Sequence, residues 1–314
     1  MAYMYGRRPP KNAPALQFSA IRRTDYTPVY PANVDYMTPL DAGWEMLGND
    51  QYGDCVAVTW ANVRRLVTHY LSTKGENYPS LNEVYDFYKT QNPGFPQQDN
   101  GMDIQTALED LHAKGGPDGV QAVAFAKVDH TNEDEVRAAI AAFGSVWVGI
   151  NVLDANMDEF NEGVPWDYVR NSPVDGGHSV IVAGYGTPGG GALGGLIRFE
   201  TWAEETSFTD NFWKHLVEEC WVVVWPEHMG TASFEANVDG QALADEYKAL
   251  TGQTLVIPPQ PTPTPTPVPP PAPESNAQAL WDVAGPWCAR HRVRPDLVTL
   301  KAALVEWAQA EGLA

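Results

Sequence analysis

The sequence predicts an α+β domain, followed by a proline-rich linker and a small helical hairpin. One observation is the amphipathic helical pattern that begins at Cys55, directly after a cluster of turn-forming polar residues. Another is the apolar run behind His178, which has the character of a buried strand. The third is the segment 258–273, where ten of sixteen residues are proline, so it has no core of its own.

The proline-rich segment divides the chain into regions. Residues 1–43 are rich in Pro, Tyr and Arg without periodicity, which is typical of an extended arm that wraps a domain or another subunit. Residues 44–257 form the predicted main domain, and residues 258–273 a semi-rigid polyproline linker. Residues 274–314 carry apolar side chains at helical spacing and predict a hairpin near the lower size limit for independent folding. We therefore expect the hairpin to dock onto a protein partner.

The charge of the chain excludes two classes of partner. Forty acidic and twenty basic residues give a formal net charge of −20. This charge repels phosphate backbones and anionic lipid headgroups, which argues against nucleic-acid and membrane partners. No stretch approaches the ~18 consecutive apolar residues of a membrane span, and the polar, basic start of the chain does not resemble a signal peptide. We expect synthesis in the cytoplasm.

The three cysteines are Cys55, Cys220 and Cys288. An odd, sparse set in separate regions argues against a disulfide framework and favours a reducing compartment. No Cys-x-x-Cys pair or close Cys/His cluster is present, so no metal site is expected. Cys220, beside Trp221 in an apolar run, is interpreted as a core residue, and Cys288 as part of the packing of the hairpin.

Cys55 is the first candidate for chemistry. The polar cluster before it and the helical pattern after it place Cys55 at a helix N-terminus. Exposed amides and the helix dipole stabilise a thiolate at that position. Taken alone, a cysteine there is more often a small packed hydrophobe.

His178 is the second candidate. Gly176 and Gly177 precede it and permit close backbone approach, and a strand-like run follows it. A histidine held at the start of a buried strand can act as the base for a thiol that is distant in sequence. Taken alone, a structural histidine is the simpler interpretation.

The order of several motifs resembles the papain-like cysteine peptidases, in particular the compact type of bacteria and bacteriophages. The resemblance extends over roughly residues 44–225 and implies a papain-like fold, with a helical subdomain beside an antiparallel β subdomain. It also implies that Cys55 and His178 are the catalytic pair. The matching segments are Gly53-Asp54-Cys55, the run 100–108 with Gly115-Gly116, the runs 132–140 and 146–150, and the run 175–186 around His178.

The resemblance assigns three further residues. The family's Asn-Ser-Trp triplet corresponds here to Glu200-Thr201-Trp202, which puts Glu200 in the position that orients the histidine. Acidic residues fill that role in other triads. Asn49, six residues before Cys55, stands in the place of the oxyanion-hole glutamine, although its side chain is one methylene shorter. Gln51 is the alternative oxyanion donor.

The implied function is a cysteine peptidase that cleaves peptide or protein substrates through an acyl-enzyme and needs no cofactor. The compact type of the family predicts a bacteriophage-borne, virion-associated enzyme. The alternative hypothesis is a papain-fold structural or binding protein of a virion that has lost turnover. A third hypothesis is acyl transfer, in which an amine replaces water as the acceptor.

Overall fold

The computed structural model describes residues 3–256, apart from 24–30, 32, 39, 41–42 and 188–195. The predicted linker at 258–273 and the predicted hairpin at 274–314 lie outside the described residues. The described part falls within one compact unit, Met1–Gln260.

The helical part of the domain is organised around a long central helix. The helices of the described residues are α1 (Phe18–Ile21), α2 (Cys55–Leu71), α3 (Leu81–Tyr88), α4 (Ile104–Ala113), α5 (Glu133–Phe143), α6 (Asp154–Glu162), α7 (Asp210–Leu216), α8 (Ala232–Asn237) and α9 (Gly240–Thr251). Every residue of α2 from Cys55 to Thr68 is buried, as expected for a helix that is enclosed on all sides. None of the described helices is both long and apolar enough to cross a membrane.

The polar residues of α2 are tolerated in the interior because they are paired. Arg64 Nε lies 2.7 Å from Asp118 Oδ2, and its Nη2 lies 2.8 Å from Glu227 Oε1. Arg65 Nε lies 3.0 Å from Glu76 Oε1. The side chains of both arginines are 1% exposed, so their carboxylate partners replace the water that each charge has lost.

The other part of the domain is a mainly antiparallel sheet. Its strands are β1 (Leu16–Gln17), β2 (Val34–Asp35), β3 (Ala124–Lys127), β4 (Val146–Leu153), β5 (Val174–Thr187), β6 (Leu196–Thr201), β7 (Glu204–Phe208) and β8 (Val217–Val224). The strand order is β1-β3-β8-β4-β5-β6-β7, and β2 pairs with β5. Only the short β1–β3 pair is parallel among the described strand pairs.

Alternation along the strands creates two hydrophobic cores. Trp147 and Ile181 face α2, while Val148 and Val180 belong to the core on the opposite face, with α5. Successive strand residues point to opposite faces, so β4, β5 and β8 each contribute to both cores. A helical part beside an antiparallel sheet is the α+β, papain-like architecture that the sequence predicts. Cys220 is fully buried in the core on the α5 face, in agreement with its interpretation as a core residue.

The N-terminal segment is packed into the domain at several points. β1 pairs with β3, and β2 pairs with β5. Phe18 and Ile21 of α1 are fully buried in the core on the α5 face. Residues 3–8 run across the opening between the two parts of the domain and are described with the site below.

Replacement of Arg64 should destabilise the fold strongly. Arg64→Ala removes the guanidinium from Asp118, whose side chain is 1% exposed, and a buried carboxylate without its partner costs about 3–5 kcal/mol. Urea unfolding measures the loss. The control is Lys114→Ala, which breaks a surface pair with Asp110 worth at most about 0.5 kcal/mol. Equal losses in the two variants would contradict this account of the helix.

Candidate active site

Cys55 is the first residue of α2, as the sequence predicts. Its thiol is 1% exposed. Burial is the main influence on this group and raises its pKa to about 12, against the opposing effect of backbone hydrogen bonds from Ser179 and Gly6. The helix N-terminus therefore does not produce a thiolate while the site is covered.

His178 lies near the start of β5, paired with Ile150 of β4. Its Nε2 lies 2.7 Å from Thr201 Oγ1, and its Nδ1 has no partner among the described residues. The ring stacks on Trp202, with 4.5 Å between the ring centroids. Burial, and then the charge of Arg7, lower the pKa of His178 to about 3. The imidazole is therefore neutral, like the thiol.

A chain of hydroxyl groups holds the Cys55 helix against the His178 strand. Ser179 Oγ lies 3.0 Å from Thr59 Oγ1 of α2 and accepts a hydrogen bond of 2.7 Å from Trp147 Nε1 of β4. Thr59 Oγ1 donates in turn to the Cys55 carbonyl oxygen at 2.8 Å. The residue that follows His178 thus contacts the first turn of α2, and this brings the two predicted catalytic residues to one place.

The structure corrects the assignment of Glu200, because Thr201 is the residue that contacts His178. Glu200 lies opposite Ile181, which faces α2, so Glu200 faces α2 as well. There its carboxylate accepts hydrogen bonds from Asn62 Nδ2 and from the Ala203 amide, the latter at 2.9 Å. The next residue points to the other face, the side of His178.

The environment of Glu200 fits a structural carboxyl group. It is 2% exposed, and burial raises its pKa to about 8, so that it is largely protonated at neutral pH. A neutral carboxyl bonded to α2 joins the helix to β6. It does not stabilise an imidazolium.

The two candidate oxyanion donors lie in different surroundings. Asn49 is 2% exposed, and its Nδ2 donates to Met4 O at 3.3 Å, Tyr52 O at 3.1 Å and Asp54 Oδ1 at 3.2 Å. Gln51 is exposed in the same loop. Asn49 therefore faces the covered cleft, and the structure does not bring Gln51 to it.

The residue before the thiol is a buried carboxyl group. Asp54 is fully buried, and its Oδ2 has no partner in the described part of the chain. Burial raises the pKa of Asp54 well above its usual value, although a hydrogen bond from Asn49 opposes the shift. A protonated Asp54 removes a negative charge that would otherwise disfavour the Cys55 thiolate.

The arm of residues 3–8, which we call the N-terminal strap, covers these groups. Met4 N donates to Asn49 O at 3.1 Å, and Arg7 N donates to Gly177 O at 3.0 Å, next to His178. Gly6 accepts a hydrogen bond of 2.8 Å from Met102 N. The strap is therefore bonded to both walls of the cleft and passes directly over the thiol.

Only glycine fits at the centre of the strap. A Cβ atom on Gly6 would lie 1.7 Å from the carbonyl oxygen of Gly53, two residues before Cys55. The sequence patterns do not predict the strap contacts, or that Thr201, Ser179 and the ring of Trp202 surround the site. A hydroxyl beside Trp202 and a glycine in a polar arm carry no signal that is specific to a cleft.

The sequence model of the papain family of cysteine proteases matches residues 76–243. That span is more than half of the chain. The chain belongs to the papain family of cysteine proteases. Its matched span contains His178 and Thr201 but begins after Cys55, so the position of the thiol follows from the start of α2.

Solved structures agree with the family at the level of the fold. The chain is similar to xylellain, a cysteine protease from Xylella fastidiosa, with 17% identity and a TM-score of 0.55, over 71% of this chain and 96% of that one. It is also similar to procathepsin B S9 from Trypanosoma congolense, with 14% identity and a TM-score of 0.54, over 71% and 86% of the two chains. No curated protein matches the sequence.

The buried, neutral His178 should make this papain-family domain sensitive to acid. Below its ordinary pKa of 6.5 the unfolded histidine binds a proton, whereas the folded one binds it only near pH 3, so stability falls as pH falls between these values. From pH 7 to pH 5 the contribution is about 1–2 kcal/mol. Urea unfolding at several pH values should show a smaller acid loss for His178→Gln than for the wild type.

The control is His215→Gln, because His215 is exposed on α7. This variant should follow the wild-type pH profile. An unchanged profile in His178→Gln would show that His178 is not held neutral in the folded protein.

Proposed function

We propose that this papain-family protein is a cysteine peptidase in which His178 deprotonates Cys55. The observation that supports this proposal is the hydrogen bonding of the imidazole. Thr201 binds Nε2, while Nδ1 has no partner among the described residues. With one nitrogen held by Thr201, the other is available to take up the thiol proton. Thr201 is a positioning residue in this scheme.

Each step of the proposed reaction uses a group already placed at the cleft. His178 Nδ1 takes the thiol proton, and the sulfur attacks the peptide carbonyl carbon to give a tetrahedral oxyanion. Asn49 Nδ2 and the Cys55 amide donate to that oxygen. The C–N bond then breaks, the imidazolium gives its proton to the leaving amine, and water hydrolyses the thioester.

The strap supports the role of Asn49 in this scheme. The Met4 carbonyl oxygen lies 3.3 Å from Asn49 Nδ2. The two N–H groups of Asn49 are shared among this oxygen, the Tyr52 carbonyl and Asp54, so departure of the strap opens the position of the Met4 oxygen to a substrate oxygen. Asn49 rather than Gln51 is therefore the proposed oxyanion donor.

The reaction requires that the strap leaves the cleft, because Gly6 occupies the space beside the thiol. Departure also exposes the catalytic pair to water. Burial is the main cause of both pKa shifts, so hydration moves the two values towards each other and favours the ion pair. The strap therefore both covers the site and keeps Cys55 and His178 neutral.

The cellular setting is part of the proposal and rests on the sequence. Cys55 and Cys220 are free, buried thiols, which is consistent with synthesis in a reducing cytoplasm. Association with a virion follows from the resemblance to the compact bacterial and bacteriophage enzymes.

A full-length Gly6→Val variant tests the peptidase proposal. The new side chain cannot fit against Gly53, so the strap should be displaced and a thiol-directed epoxide should modify Cys55 on the order of tenfold faster. Intact mass and peptide mapping measure the rate and the site. The matched control is Gly43→Val, because nothing lies within 4 Å of a Cβ atom at Gly43.

The same experiment decides between the peptidase and a binding scaffold. Fast, single modification of Cys55 that is lost on adding His178→Ala supports the catalytic pair. If modification is slow, is shared with Cys220 and Cys288, and does not change in His178→Ala, the peptidase proposal fails. The protein is then the inactive papain-fold scaffold. Product analysis with added amines separates hydrolysis from acyl transfer.

The roles of Thr201 and Glu200 can be compared in the Gly6→Val background. Thr201→Val keeps the shape of the side chain but removes the hydroxyl that holds His178, and should slow modification of Cys55 by about 10–100-fold. Glu200→Gln keeps the size of the side chain and exchanges one acceptor oxygen for an NH2 group on the α2 side, away from His178, so it should react at nearly the parental rate. The reverse order of rates would restore Glu200 as the orienting residue.

A further inference from the structure

The Arg7 side chain enters a pocket beside the catalytic pair. Its guanidinium is 1% exposed. Nη2 lies 2.5 Å from Glu218 Oε2, Nη1 lies 3.3 Å from Glu219 Oε1, and Nε donates to the Ile150 carbonyl oxygen at 3.3 Å. Nη2 also donates to Asn151 Oδ1 at 3.0 Å. The guanidinium is therefore bound by two carboxylates, a carbonyl oxygen and an amide oxygen.

The acidic walls of this pocket are positioned by the domain itself. Trp221 Nε1 donates to Glu219 Oε2 at 2.8 Å, and Asn151 Nδ2 donates to Glu218 Oε1 at 2.8 Å. Neither contact involves the strap. The two carboxylates therefore keep their orientation after the strap has left.

A glycine provides the room for a long side chain. A Cβ atom on Gly149 would lie 2.7 Å from Arg7 Cδ and 2.6 Å from Glu219 Cγ. Any larger residue there would close the pocket. The side chain of Glu219 is fully buried, and that of Glu218 is 37% exposed at the rim. A cation that enters thus meets one carboxylate at the entrance and another at the base.

The pocket lies within one residue of the reacting atoms. Gly6 hydrogen-bonds the Cys55 thiol, and Arg7 N donates to the carbonyl oxygen of Gly177, the neighbour of His178. A peptide that occupies the cleft in place of the strap therefore directs a side chain near its scissile bond into the same pocket.

We propose that Glu218 and Glu219 form a specificity pocket that selects peptide substrates with an arginine side chain beside the cleaved bond. This inference rests on the proposed peptidase function. A guanidinium matches the two carboxylates and the Ile150 carbonyl at once, whereas a lysine ammonium is a single point of charge. Burial raises the pKa of Glu219 and the charge of Arg7 opposes that shift, so an uncharged side chain would lose the interaction that favours the Glu219 carboxylate. Arg7 of the strap occupies the pocket as a substrate arginine would.

The first test compares two epoxide peptides that differ only in arginine against citrulline, its uncharged isostere. Arginine is placed at either of the two residues next to the reactive carbon. In full-length Gly6→Val protein, we expect the better arginine probe to modify Cys55 at least about tenfold faster than its citrulline partner. In Gly6→Val with Glu218→Gln and Glu219→Gln, the ratio should fall to about one. Thermal unfolding verifies that each variant is folded.

A control removes the same amount of charge elsewhere. Glu133→Gln with Asp134→Asn neutralises two exposed acids in the first turn of α5. The arginine preference should survive in this variant. Equal rates for the two probes at Cys55, or a preference that persists without Glu218 and Glu219, would overturn the inference.

A binding measurement separates this inference from the peptidase proposal. A free peptide of residues 3–11 with the native Gly6, and its twin with citrulline in place of Arg7, are titrated into full-length Gly6→Val with Cys55→Ala. Calorimetry should show at least about tenfold tighter binding of the arginine peptide. If Cys55 proves unreactive while this difference holds, the peptidase proposal fails and the cation pocket stands. Equal binding of the two peptides would overturn the pocket.

Discussion

The attachment of the α2 N-terminus to β5 is the contact on which the rest of the site depends. Ser179 is the centre of it, because its hydroxyl contacts Thr59 of the helix and Trp147 of β4. All of these groups are buried, so each hydrogen bond is made where water cannot replace it, and loss of one partner would leave the others unsatisfied. Because Ser179 follows His178 directly, the positions of Cys55 and His178 relative to each other are fixed by a hydrogen-bonded link between the two cores rather than by either part alone.

The strap adds a second constraint, which acts on charge. In the covered state the thiol and the imidazole are both neutral because both are buried. The neighbouring carboxyl of Asp54 is also buried, and its raised pKa favours the uncharged form. A set of neutral groups is the state in which a dry cleft is stable, since burying an ion pair costs more than its attraction returns unless further hydrogen bonds are made. Coverage by the strap thus opposes a charged Cys55–His178 pair for electrostatic as well as steric reasons.

The sequence predicts the parts of this site that depend on local patterns. A polar turn before a helical periodicity places Cys55, and a glycine pair before an apolar run places His178. The residue that contacts His178 from β6 is different, because its identity depends on the register of β6 against β5. Alignment of the Asn-Ser-Trp triplet at Trp202 gives Glu200 as the orienting residue. Only the pairing of Ile181 with Glu200 shows that the neighbouring Thr201 faces His178. A displacement of one residue in a strand exchanges its two faces, and no local pattern in the segment reveals it.

The residue contacts of the strap and the acidic pocket were beyond sequence reasoning for a related reason. Arg7 meets Glu218 and Glu219 across more than two hundred residues of chain. A pair of arginines in a polar arm and a pair of glutamates at the start of a strand are ordinary surface patterns when each is considered alone.

The contact between Arg7 and the two glutamates affects how the cleft can be opened. The strap is tethered to the domain, so its effective concentration at the cleft is on the order of mM, and a free substrate with the same arginine must compete against it. If the strap and the substrate made similar contacts, the tethered strap would remain in the cleft. Access therefore depends on contacts that the strap makes and a substrate does not, and the close fit of Gly6 against Gly53 is a contact that a single added Cβ atom removes.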